Sequence, residues 1–145
     1  MKQTVMFKKL VPDAIIPKYA TEGDSGMDLF ASGNAVVKMG EVTSVSTGLA
    51  CQLPPGYEFQ VRPKSGLAAK HGVTVVNTPG TVDCGYRGEI KVLLTSLKSG
   101  VEFKIEAGMK IAQIVLAPVS YCNPVVVEEI DETERGTGGF GSTGS

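Results

Sequence analysis

Two six-residue stretches alternate apolar and polar side chains without a fault: Tyr57-Glu58-Phe59-Gln60-Val61-Arg62 and Val101-Glu102-Phe103-Lys104-Ile105-Glu106. A period of two puts every second side chain on one face of an extended chain, so each stretch is predicted as a strand with one buried face. Further strands are predicted over residues 42–50, 89–94, 110–119 and 124–128. Turn residues separate them at Met39-Gly40, Pro54-Pro55-Gly56, Ser99-Gly100 and Ala107-Gly108. Their spacing is near the ~8–12 residues typical of an all-β sandwich or barrel. Composition agrees, because 18 Val, 7 Ile and 11 Thr stand against 9 Leu, and β-branched side chains suit a pleated sheet. Only Ser65-Gly66-Leu67-Ala68-Ala69-Lys70-His71-Gly72 reads as helical, with Ser65 as its N-cap and Gly72 as its stop. Strands do not alternate with helices, which excludes a doubly wound parallel sheet.

The 145 residues suffice for one domain with a real core. Lys+Arg is 14 and Asp+Glu is 15, a net charge of -1. No global basic field favours nucleic acid or membrane, and neither is expected as a partner. No apolar run approaches the ~20 residues of a membrane span. Met1-Lys2-Gln3-Thr4-Val5 lacks the apolar stretch of a signal peptide, so a soluble cytoplasmic protein is expected. Cys51, Cys84 and Cys122 are too widely spaced for a disulfide framework or a zinc site. His71 is the only histidine. Mechanisms needing two histidines are excluded and Cys–His or Ser–His schemes are weakened. Enzymatic chemistry would fall to carboxylates, backbone amides or a borrowed metal ion.

The C-terminus changes character. Residues 128–134 hold five acids in seven positions, and residues 135–145 hold five glycines, a composition that cannot pack a core. The predicted organisation is a β domain over residues 1–127 and a mobile arm over 128–145. Gly136, Gly138 and Gly141 fit G-x-G-x-x-G, but only four residues follow and no helix can begin there. Gly136 and Gly141 also have Walker spacing, yet Ser142 stands where Lys is required. The physics of such loops survives: curled backbone amides, with hydroxyls from Thr137, Ser142 and Thr143, can surround an anion. Arg135 can fork onto a phosphate and Phe140 can stack on a base.

Three internal segments carry polar groups suited to a site. Gly23-Asp24-Ser25-Gly26-Met27-Asp28-Leu29 sets two carboxylates before a strand-like stretch. Arg62-Pro63-Lys64-Ser65-Gly66-Leu67 sets two cations and a hydroxyl at the start of the helix, where free amides attract phosphate. Residues 77–90 read as a wide hairpin, turning at Pro79-Gly80 and at Cys84-Gly85, with Asp83 and Tyr86 beside the connection. Each segment alone is as well explained by an ordinary polar turn, a capped helix or a capped hairpin.

Taken together they resemble the trimeric dUTPase family. Five family motifs appear in order. Gly26-Met27-Asp28-Leu29 fits the first, Pro63-Lys64-Ser65-Gly66-Leu67-Ala68 the second and Gly80-Thr81-Val82-Asp83-Cys84-Gly85-Tyr86-Arg87-Gly88 the third. Gly108-Met109-Lys110-Ile111-Ala112-Gln113 fits the fourth, and the stretch from Arg135 through Phe140 to Gly144 the fifth. The resemblance implies an all-β fold, a distorted jelly-roll or β-clip barrel of short, mostly antiparallel strands. It implies Mg²⁺-assisted hydrolysis of dUTP to dUMP and pyrophosphate, which supplies dUMP for thymidylate synthesis and keeps uracil out of DNA. It also implies a homotrimer whose sites are shared, with the arm donated by a neighbour.

On that resemblance Asp83 orients and deprotonates the attacking water. Asn77, Gly80, Thr81, Val82 and the Asp83 backbone bind the uracil edge, and Tyr86 packs on the deoxyribose and leaves no space for a 2′-hydroxyl. Lys91 approaches the same pocket. Lys64, Ser65, Gly66 and Gln113 bind phosphates. Arg135 contacts the γ-phosphate, Phe140 covers the uracil, and Gly141 and Ser142 complete the arm's contacts. The metal is held mainly by the triphosphate, with Asp28 acting through water. Two positions depart from the family pattern: Lys64 stands where Arg is usual, and Met109 where Asp is common. The residues also leave open a dCTP deaminase-like nucleotide enzyme and a non-catalytic trimeric nucleotide-binding scaffold.

Overall fold

The computed structural model describes residues 2–100 and 102–140. Among them, eleven strands and one helix follow in chain order: β1 (Met6–Lys9), β2 (Met27–Phe30), β3 (Ala35–Val37), β4 (Thr43–Ser46), β5 (Leu49–Gln52), β6 (Tyr57–Arg62), α1 (Ser65–His71), β7 (Val73–Val75), β8 (Gly80–Val82), β9 (Lys91–Ser96), β10 (Phe103–Ile105) and β11 (Lys110–Pro118). They form four antiparallel sheets, ordered β1-β5, β10-β3, β2-β11-β6-β8 and β4-β9-β7. The expected all-β jelly roll is the fold observed.

The alternation at 57–62 becomes β6 with the predicted bounds. Phe59 and Val61 point into the core, while Gln60 on the other face accepts from Arg62 and donates to Glu58. β9 repeats the pattern with Val92 and Leu94 inside. Each such apolar side chain contributes about 1.5–3 kcal/mol on burial. Strand β11 breaks the alternation, for Ile111 and Ala112 are both buried. A register shift against β2 between Lys110 and Ala112 accounts for it, because the bulge turns two successive residues inward.

Several expectations require correction. The strand over 42–50 is two strands in different sheets, since the chain turns at Gly48 (φ 67°) between β4 and β5. The 89–94 strand lies two residues later, as β9. The 101–106 alternation yields only Phe103–Ile105, and Val101 lies outside the described residues. No strand forms at 124–128: Val126 is 99% exposed and has no described neighbour to pair with. Residues 77–90 are not a hairpin. β8 pairs with β6, whereas β9 pairs with β4 and β7, so residues 83–90 cross from one sheet to another. The helix cap is Lys64 with no side-chain cap bond, and Ser65 is already helical.

Candidate functional site

One end of the four-stranded sheet gathers three of the predicted motifs. Gln113, on β11, is in register with Asp28 of β2 on one side and Arg62 of β6 on the other. Immediately after Arg62 the chain leaves the sheet as Pro63-Lys64-Ser65 and enters α1. Gly80, which opens β8, lies opposite Val61 at the same end. The Gln113 amide donates through Nε2 to the Pro63 carbonyl at 3.0 Å. Its Oε1 lies so close to Gly26 that a Cβ there would overlap it. A glycine before β2 is therefore what lets Gln113 lie between the first and second motifs.

Asp28 is the electrostatic centre of this end. Lys64 Nζ donates to its Oδ1, and Lys110 Nζ lies 2.7 Å from its Oδ2. Partial burial pushes the carboxyl toward its neutral form, but hydrogen bonds from Lys110 and Lys64, together with their charges, outweigh burial. The group is held below its ordinary 3.8. Among the described residues no group of three or more His, Cys, Asp or Glu is placed to hold a metal ion. Both Asp28 oxygens are engaged by ammonium groups.

Beyond Gly80, the third motif runs away from this end. Asp83 follows β8 three residues beyond Gly80, about 10 Å along the strand at ~3.3 Å per residue, toward the start of β6. It is exposed. Its carbonyl accepts from the Tyr86 amide at 3.0 Å, which closes a turn. The Tyr86 hydroxyl donates to the Glu89 carbonyl, and the ring lies against Gly88, where a Cβ would overlap it. Arg87 braces the same turn by donating to the carbonyls of Cys84 and Tyr86. Asn77 packs its amide against Gly80, Thr81 is exposed and Val82 is buried. Lys91 lies 3.8 Å from Glu89, which itself accepts from the Gly48 amide at 2.9 Å.

The arm stands clear of both groups. Residues 120–137 are exposed throughout. Arg135 folds back within the arm, donating through Nε to the Gly138 carbonyl at 2.9 Å, and Phe140 is fully exposed. Gly141 and Ser142 lie outside the described residues. One chain thus joins Asp28, Lys64 and Gln113, but separates them from Asp83 and Tyr86, with Arg135 bonded within the arm and Phe140 exposed among the described residues. Sequence reasoning missed Lys110 as a partner of Asp28, and the steric parts of Gly26 and Gly88. Met109 packs against the core and its carbonyl accepts from Ala31.

The dUTPase family model matches residues 12–144. Deoxyuridine 5'-triphosphate nucleotidohydrolase of Picosynechococcus is 52% identical over 137 residues, covering 94% of this chain and 96% of that one. The enzyme of the same name from Hydrogenobaculum is 54% identical, covering 97% of each chain. Among solved structures, a Staphylococcus bacteriophage 80alpha dUTPase variant with dUpNHpp superposes with a TM-score of 0.89 at 25% identity, covering 99% of this chain and all of the other. A phage phi11 dUTPase variant, described with a structural Mg(II) ion, superposes at 0.79 with 23% identity, covering 89% and 99%.

Proposed function

The chain belongs to the dUTPase family, and from that premise we infer that it hydrolyses dUTP to dUMP and pyrophosphate. The observation that carries this reading is Gln113 held in register between Asp28 and Arg62, with Lys64 and Ser65 directly beyond. That arrangement presents cations, an amide and a hydroxyl together at one sheet end, which suits the phosphates of a nucleotide.

The proposed residue roles are those that the family resemblance implies. Lys64, Ser65, Gly66 and Gln113 bind the phosphate chain. Asp83 holds the attacking water and takes its proton, and a carboxylate suits this because it returns unchanged after turnover. The exposed backbone at Thr81 and the Asn77 amide bind the uracil edge. Tyr86 packs on the deoxyribose. Bound with the triphosphate, Mg²⁺ would neutralise phosphate charge, and Asp28 is the residue that would face it, through water.

The same placement supports a trimer with shared sites. Asp83 and Lys64 extend from opposite ends of the β6–β8 pairing, so one chain cannot bring both to the same phosphate. A second copy that offers its sheet end to this chain's Asp83 and Tyr86 completes the constellation. The arm, with Arg135 and Phe140 clear of the β domain, closes over a neighbour's nucleotide. This gives residues 128–145 the role of a lid on the β domain of 1–127.

Pyrophosphate release from dUTP, UTP, dCTP and dTTP, with and without Mg²⁺, tests the reading. Rapid Mg²⁺-dependent release from dUTP alone is expected. Deamination of dCTP, or nucleotide binding without turnover, would replace it.

A further inference from the structure

We propose that Lys110 is a positioning residue that holds the Asp28 carboxylate so that Lys64 is free to move onto a substrate phosphate. The inference rests on the reading above that Lys64 binds phosphate. Asp28 carries two ammonium partners on separate oxygens, Lys64 on Oδ1 and Lys110 on Oδ2. The two cations differ in setting: the Lys64 side chain is 28% exposed and that of Lys110 50%.

A single ammonium is a point charge and lacks the planar fork with which an arginine can bridge a carboxylate and a phosphate side by side. On this proposal Lys64 gives up Asp28 as it moves onto the phosphate. The Asp28 side chain is only 15% exposed, and a carboxylate in that setting left without a partner is costly. Lys110 removes the cost by remaining on Oδ2. It reaches Asp28 from the start of β11, where Gln113, three residues further on, is in register with Asp28. The strand that carries Gln113 to the phosphates thus also carries the counter-ion that releases Lys64.

The test compares wild type with Lys110→Met, Lys110→Arg, Lys64→Met, Asp28→Asn and the Asp28→Asn/Lys110→Met pair. KM and kcat for dUTP are measured, with the Kd of a non-hydrolysable dUTP analogue and Mg²⁺. Lys110→Met should raise KM and Kd roughly tenfold, the scale of one charge-assisted hydrogen bond, and change kcat little. Lys110→Arg should restore both constants. In the Asp28→Asn background, removing Lys110 should add nothing, because no carboxylate remains to hold Lys64. An equal loss in that background means that Lys110 touches phosphate itself and overturns the proposal. So does unchanged KM and Kd in Lys110→Met while Lys64→Met weakens binding. If Lys64→Met also leaves binding unchanged, the assignment of Lys64 to phosphate fails, and the proposal with it.

Discussion

The Tyr86 hydroxyl donates to the Glu89 carbonyl at 3.0 Å, and its ring lies against the α-carbon of Gly88. The aromatic ring is thereby fixed by a residue with no side chain and by a carbonyl one step further on. Gly88→Ala places a methyl group against the hydroxyl end of this half-exposed ring and turns it away. If Tyr86 is the sugar filter, Gly88→Ala should erode discrimination against UTP more than it lowers dUTP turnover. The ratio of kcat/KM for dUTP over UTP measures this. An unchanged ratio would remove Tyr86 from that role.

Gly26 has the corresponding relation to Gln113. A methyl group at Gly26 overlaps Gln113 Oε1, so Gly26→Ala should turn the amide off Pro63 and weaken phosphate binding. Since β2 and β11 pair through Asp28 and Gln113, the fold should persist with a small loss in melting temperature. The expected outcome is a higher KM for dUTP with unchanged circular dichroism.

Asp28 gives a pH signature. Its pKa in the folded chain lies below its ordinary 3.8. The stabilisation from its ion pairs is therefore complete above that ordinary value and is lost as pH falls through the lowered one. Urea unfolding should show Asp28→Asn less stable than wild type at neutral pH. The two should converge in strong acid. A constant difference across the range would mean that the ion pairs contribute nothing through ionisation.

Shared sites predict complementation. A chain truncated before Arg135 retains Asp83, and a full-length Asp83→Asn chain retains the arm. Co-refolded mixtures should recover part of the activity that each lacks alone. A monomer by light scattering with full activity would contradict the trimer.

Much of the fold was legible because period-two burial is local. The 57–62 alternation alone identifies a strand, and β6 takes those bounds. What was illegible is long-range. Nothing near Gly48 says that β4 and β5 join different sheets, and nothing in residues 77–90 says that β8 turns to β6 instead of β9. The 124–128 run has strand-like side chains but no described partner. At the candidate site, motif residues were readable from their chemistry. Lys110 was not, because its meeting with Asp28 depends on the register of β11 against β2 and on the bulge beside it.

Asp83 stands at the end of β8, exposed and supported by the Tyr86 turn, and the proposed chemistry depends on its carboxylate. The most direct measurement is pyrophosphate release from dUTP by wild type and Asp83→Asn, alongside binding of a non-hydrolysable dUTP analogue. Loss of a positioned base costs roughly 10²–10⁴ in rate, so turnover should fall on that scale while analogue affinity persists. Near-native turnover by Asp83→Asn would contradict the account.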